Sequence, residues 1–209
     1  MNICGVVTAA GLSSRMGDFK PLMSINGITM IERTIDSMLK AGIEQVVVVL
    51  GYRGEEVKKL ITEKYSAKRV ITAFNEEYFT TDMLCSIKIG ISTLKKCDAF
   101  YILPGDMPAI NMRTFQTMKE ALDNPGILVV VPTLHDRRKH PPLVRWSCIP
   151  DIMDYNGAEG LRGVWNQLGD KLLEVPIQDM GCGMDADTKQ DFSRIERYLV
   201  PFTAEQAYL

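Results

Sequence analysis

The chain of 209 residues has no excess of positive charge: 24 Lys and Arg stand against 26 Asp and Glu, a net charge of −2. Proteins that coat nucleic acid or an anionic membrane depend on a broad positive field, so neither partner is expected, whereas a small anionic ligand needs only a local cationic pocket. Paired cysteine motifs are also missing. Cys4, Cys85, Cys97, Cys148 and Cys182 are odd in number and scattered, with no C-x-x-C among them, which disfavours a disulfide framework and a structural zinc and points to a reducing, cytoplasmic setting. No basic segment precedes the first apolar run, so neither a secretory leader nor a membrane span is expected there. Two familiar glycine signatures are absent too. The dinucleotide fingerprint would need a second Gly two residues after Gly11, and the mononucleotide P-loop would need Gly-Lys-Ser/Thr. There is no repeat, low-complexity tract or linker, and 46% apolar residues suffice for a substantial core, so one domain over 1–209 is expected.

What is present is a set of short runs that are apolar on consecutive positions rather than alternating. Ile3–Thr8, Gln45–Leu50, Ala99–Leu103 and Ile127–Pro132 have this form, as strands covered on both faces do. Between them, apolar residues recur at helical spacing: Ile31, Ile35, Met38 and Leu39; Val57, Leu60 and Ile61; Leu84, Ile87, Ile91 and Leu94; Met112, Phe115, Met118 and Leu122. Phe192, Ile195 and Leu199 mark a last helix. Strands alternating with helices imply right-handed crossovers and a doubly wound α/β sandwich with a mostly parallel sheet. Leu143–Trp146 and Leu172–Val175 add two strands, one of them expected to be antiparallel or part of a small cover over the site, and the residues around 157–169 suggest a helical excursion. The methionines are assigned to core filling.

Three segments carry chemistry. In Val6-Val7-Thr8-Ala9-Ala10-Gly11-Leu12-Ser13-Ser14-Arg15-Met16-Gly17-Asp18-Phe19-Lys20 an apolar strand runs into a loop of small residues bearing one Arg and one Lys. Small side chains let backbone amides approach phosphate oxygens, and Arg15 and Lys20 supply fixed charge; an ordinary strand-to-helix turn is the plainer use of such a loop. Leu103-Pro104-Gly105-Asp106-Met107-Pro108 sets a carboxylate just past a strand. That suits a magnesium ligand, since Mg²⁺ needs only one or two carboxylates besides substrate phosphates, and it equally suits a turn or helix-cap aspartate. Asp185-Ala186-Asp187-Thr188 offers further carboxylates before the last helix, where Asp187 or Thr188 could instead be its cap. Arg137-Arg138-Lys139-His140 is the one concentrated basic run; it is either a solvated loop or a segment that closes over an anion, with His140 better suited to a positioning hydrogen bond than to acid–base work.

In this order the segments resemble the MobA-like NTP transferase family over nearly the whole chain. Ala9-Ala10-Gly11 with Arg15 and Lys20, Leu103 to Pro108, and Asp185 to Thr188 are the strongest elements. Softer ones are Asn75 with Met83-Leu84-Cys85-Ser86-Ile87-Lys88, similar to the family's segment near base and ribose, and His140-Pro141. The resemblance implies a three-layer, Rossmann-like sandwich of the nucleotide-diphospho-sugar transferase type, and Mg²⁺ as cofactor. It implies that Ala9, Ala10, Gly11, Leu12, Ser13 and Arg15 hold the triphosphate, that Lys20 neutralises the α-phosphate, and that Asn75 and Ser86 bind the nucleoside. Asp106 and Asp187 would hold the metal, with Arg15, Lys20 and Asp106 catalytic. Cytidylyl-transferring members resemble Thr8-Ala9-Ala10-Gly11 at the loop, which favours CTP.

The family's Gly-Asp-x-Gly-Ala-Arg is replaced by Gly157-Ala158-Glu159-Gly160-Leu161-Arg162, and its Pro-Glu by Lys189-Gln190. These departures spare the triphosphate residues and bear on the acceptor, which His140 and Arg162 are expected to bind. The expected reaction moves CMP from CTP onto a phosphorylated small molecule, molybdopterin cofactor being one candidate and a molybdoenzyme or its chaperone a candidate partner. Sugar-phosphate, polyol-phosphate or phosphocholine acceptors, and a non-catalytic nucleotide-binding regulator or cofactor chaperone, stay open as alternatives.

Overall fold

The computed structural model describes residues 1–12 and 18–199. In chain order the strands are β1 (Ile3–Ala9), β2 (Ser24–Ile25), β3 (Ile28–Thr29), β4 (Gln45–Leu50), β5 (Val70–Phe74), β6 (Ala99–Pro104), β7 (Val129–Leu134), β8 (Arg137–Arg138), β9 (Leu143–Arg145) and β10 (Leu172–Pro176). The helices are α1 (Met30–Lys40), α2 (Gly54–Lys64), α3 (Met83–Thr93), α4 (Met112–Ala121), α5 (Ile149–Met153), α6 (Leu161–Leu168) and α7 (Lys189–Leu199).

The main sheet has the order β10-β7-β9-β6-β1-β4-β5, with β8 attached to β7. Pairing is parallel for β1 with β4 and β6, β4 with β5, and β7 with β10, while β9 runs antiparallel between β6 and β7. The consecutive apolar runs explain the layering. Ile3, Val7, Val46, Val48, Tyr101 and Leu103 face α1, α2 and α4 in one buried cluster. Their alternates Cys4, Val6, Val47, Val49, Phe100 and Ile102 face α3, α5 and α6 in another. Period-2 alternation thus sends successive side chains to opposite helical layers, and every residue of β4 is buried.

Three departures from the expected elements have physical causes. β7 starts at Val129 rather than Ile127, because the Ile127 amide is held in a turn by the Asn124 carbonyl. β5 has no expected counterpart: it is an edge strand, half-buried over most of its length, and its Thr72 and Ala73 interrupt the apolar run. The basic run does not stay a loop. His135 and Asp136 take φ of 51° and 59°, the two left-handed residues of a tight hairpin turn, and Arg137 and Arg138 fold back as β8. Arg138 then donates to Glu174 at 2.8 Å.

β1 is flanked by β4 on one side and β6 on the other, so the winding direction reverses between β1 and β6. Ligands of open α/β sheets bind outside the carboxyl ends of strands at such a reversal. The loop after β1 and the turn after β6 meet at that place.

Candidate active site

Lys20 opens a short 3-10 turn, Lys20–Leu22, and its residue is only 9% exposed. Its Nζ donates to Asp187 Oδ1 at 2.8 Å and to Asp106 Oδ2 at 3.3 Å, joining groups 167 and 86 residues away in the chain. Burial alone would lower the Lys20 pKa, but the two carboxylates outweigh it and hold the ammonium charged, above its ordinary range. Burial pushes the Asp106 carboxyl up, against the opposing pull of Lys20. The three side chains therefore open onto one place.

Each acid is released from the structural work it could have done. Helix α4 is capped by Asn111, whose side chain accepts from the Arg113 amide at 2.9 Å, so Asp106 is not its cap. Ahead of α7, Thr188 Oγ1 accepts from the Asp191 amide at 3.2 Å, and Asp191 Oδ2 accepts from the Thr188 amide at 3.0 Å. That reciprocal pair, rather than Asp187, caps α7. The convergence of two hard oxygen donors on one cation fits a divalent ion that phosphate oxygens and water would complete. Among the described residues no group of three His, Cys, Asp or Glu side chains could hold a metal without such help.

A cleft of about 260 Å³ opens beside Lys20 and Asp106. Its walls include Ala9 at the end of β1, Ala10 and Gly11 just after it, and Ser86 from α3. Gly51, just after β4, is required by close approach: a Cβ there would lie 2.6 Å from the Ala10 carbonyl oxygen and 2.7 Å from Tyr78 Cβ. Leu12 is 38% exposed and does not line the cleft. Ser13 and Arg15 lie outside the described residues.

Asn75 lies behind the cleft. It is 2% exposed and absent from the cleft wall. Its Nδ2 donates to Thr81 Oγ1 at 2.9 Å and Ser86 Oγ at 3.1 Å, and its Oδ1 accepts from the Glu77 amide at 3.1 Å. With these groups engaged inside the protein, Asn75 braces Thr81 and Ser86 from behind. Tyr78, Thr81 and Asp82 line the cleft without having been singled out. Only Asp82 had a local signal, since it precedes α3 and accepts from the Cys85 amide at 3.0 Å as its cap.

A second pocket, of about 500 Å³, shares Asp82 and Met83 with the first. His140 and Arg162 both line it, together with Lys139 and Glu159. His140 Nδ1 lies 3.3 Å from the Ile102 carbonyl oxygen. A carbonyl only accepts, so Nδ1 carries the proton; burial holds the imidazole neutral, leaving Nε2 an acceptor. That suits a positioning hydrogen bond.

A family model described as "MobA-like NTP transferase domain" matches residues 5–172. The molybdenum cofactor cytidylyltransferase of Escherichia coli K12 is 28% identical over 194 residues, 92% of this chain and 95% of its own. The 2-aminoethylphosphonate cytidylyltransferase of Lancefieldella rimae is 34% identical over 116 residues, 53% of this chain and 46% of that one. Among solved structures, a nucleotidyl transferase from Methanothermobacter thermautotroptrophicus has a TM-score of 0.79 at 24% identity, covering 95% of this chain and 98% of its own. The manganese complex of Rv0371c from Mycobacterium tuberculosis has a TM-score of 0.73 at 19% identity, covering 94% and 99%. At these identities the structures share the fold.

Proposed function

The chain belongs to the MobA-like NTP transferase family, and from that premise we propose that it transfers CMP from CTP to a phosphorylated small molecule and releases pyrophosphate. The observation that carries the reading is Lys20 Nζ between Asp106 and Asp187, at the reversal point of the sheet and beside the Ala9-Ala10-Gly11 loop. CTP is favoured over other nucleotides by Thr8-Ala9-Ala10-Gly11, and two relatives described as cytidylyltransferases support it.

In this reading an acceptor phosphate oxygen forms a bond to the α-phosphorus, the bond to the β-phosphate oxygen breaks, and pyrophosphate leaves in line. A phosphate monoester is already ionised near neutral pH, so no residue has to remove a proton. The work left to the protein is alignment and charge cancellation. The amides of the loop after β1, with Arg15, hold the β- and γ-phosphates. Lys20 neutralises the α-phosphate and the incoming acceptor, while charge shifts toward the leaving pyrophosphate. Asp106 and Asp187 would hold the divalent cation, Mg²⁺ in this reading, whose charge offsets that of the phosphates. The second pocket receives the acceptor, with Arg162 for its phosphate and His140 Nε2 accepting a donor from it.

Molybdopterin cofactor is the first acceptor to try, because similarity to the molybdenum cofactor enzyme runs over 92% of the chain. A small phosphonate or phosphate ester is the second, because the aminoethylphosphonate enzyme is 34% identical over the part it shares. The test is pyrophosphate release from each nucleoside triphosphate with Mg²⁺ and a panel of both acceptor types, with the product identified by mass. A cytidylylated product supports the proposal. Nucleotide binding without pyrophosphate release on any acceptor would favour a non-catalytic binding role instead.

A further inference from the structure

Asp106 and Asp187 sit on two separate loops, one after β6 and one before α7, and a carboxylate outside the site fastens those loops together. Asp179 Oδ2 accepts from the Asn111 amide at 2.8 Å, from Thr114 Oγ1 at 2.7 Å and from Cys182 Sγ at 3.7 Å, while its Oδ1 accepts from the Gly181 amide at 2.9 Å. Gly181 in turn rests on the Ala109 carbonyl so closely that a Cβ would stand 2.0 Å from that oxygen. Past this clamp, Ala109, Met184 and Ala186 are buried in one cluster with Ile25, Met30 and Ile195. Asp106 precedes Ala109 closely in the chain, and Asp187 directly follows Ala186.

The plainer role for Asp179 would be to cap α4. The bonds argue otherwise. Asn111 already serves the first turn of α4 by accepting from the Arg113 amide. Asp179 Oδ2 takes instead the amide of the cap residue itself and the hydroxyl of Thr114, so it joins loop to loop, while Oδ1 caps the short turn that Asp179 itself opens.

We propose that Asp179 is a positioning residue that sets the separation of Asp106 and Asp187, and through it the affinity of the site for a divalent cation. The inference rests on the reading of those two acids as cation ligands. Groups that orient ligands from behind typically matter by about 10- to 100-fold in metal affinity. Asp179→Asn keeps the shape but turns an amide NH₂ toward a donor; Thr114→Val removes one hydroxyl from the clamp, and Thr114→Ser keeps it.

The experiment titrates Mn²⁺ into the full-length protein in the presence of equimolar CTP, which supplies the phosphate oxygens, and reads the free ion by electron paramagnetic resonance, with circular dichroism confirming that each variant is folded. Asp179→Asn and Thr114→Val are expected to weaken Mn²⁺ binding by about tenfold, and Thr114→Ser to stay within about twofold of the parent, while CTP binding without metal is unchanged. Wild-type Mn²⁺ affinity in folded Thr114→Val overturns the inference even if Asp179→Asn fails to fold. Asp106→Asn is the control for the underlying reading: if it binds Mn²⁺ as well as the parent does, the cation assignment itself fails.

Discussion

An ammonium group taken out of water and set between two carboxylates is costly unless both remain paired with it, which makes Lys20 the residue on which the site is most exposed to change. Removing its side chain takes away the ammonium at 3.3 and 2.8 Å that now joins Asp106 to Asp187 and, on the proposed reading, the group that neutralises the α-phosphate. Lys20→Ala is expected to lower turnover by about two to four orders of magnitude, the scale for a positioned electrostatic group, as measured by steady-state pyrophosphate release. Lys20, Asp106 and Asp187 were legible in the sequence because each stands in a short motif whose neighbours constrain the backbone. Asp179 was not, because its partners Asn111 and Thr114 are 68 and 65 residues away and no local pattern marks a carboxylate that accepts from them. The partners of Asn75 were not legible, since the same carboxamide can face a ligand or, as here, neighbouring hydroxyls.

Helix α1 shows how an element is held in place at some distance from the chemistry. It begins with a capping box: Thr29 Oγ1 accepts from the Glu32 amide at 3.3 Å and Glu32 Oε2 accepts from the Thr29 amide at 2.7 Å. Burial acts to raise the Glu32 pKa, but hydrogen bonds from Thr29 and the Lys64 ammonium at 3.1 Å outweigh it and hold the carboxyl below its ordinary value. The unfolded chain therefore binds this proton more readily than the folded one, so the stabilisation is full above the unfolded value and disappears as pH falls through the folded one. Glu32→Gln is expected to cost about 1 kcal/mol near neutral pH and progressively less below about pH 4, a narrowing gap that urea unfolding at several pH values would reveal. Helices with a clear apolar stripe and strands with consecutive apolar residues were legible in this way. The edge strand β5 and the five-residue α5 were not, because β5 carries Thr72 and Ala73 within its run and α5 is too short to display a period.

At the scale of the molecule, the sheet order places the loop after β1 beside the turn after β6, and the long return through β10 brings the loop before α7 back to both. The alternation of strands and helices made the layering legible, whereas the insertion of antiparallel β9 between β6 and β7 depends on pairings between distant segments that leave little trace in order or composition. A ligand that bridges these elements should stabilise the whole fold. Metal-bound CTP at about a hundred times its dissociation constant adds about 2.7 kcal/mol, or a rise of about 5–10 °C in Tm for a chain of this size, and thermal unfolding of Lys20→Ala should show much less of it. The central claim is that Asp106 and Asp187, brought together from distant parts of the chain, act on one cation in one reaction. Turnover of Asp106→Asn, Asp187→Asn and the double variant, followed as pyrophosphate release from CTP in the presence of acceptor, tests it most directly. Residues acting as a unit give non-additive losses, so the double variant should be no slower than the slower single variant; losses that multiply would mean that the two acids act independently and would contradict the shared site.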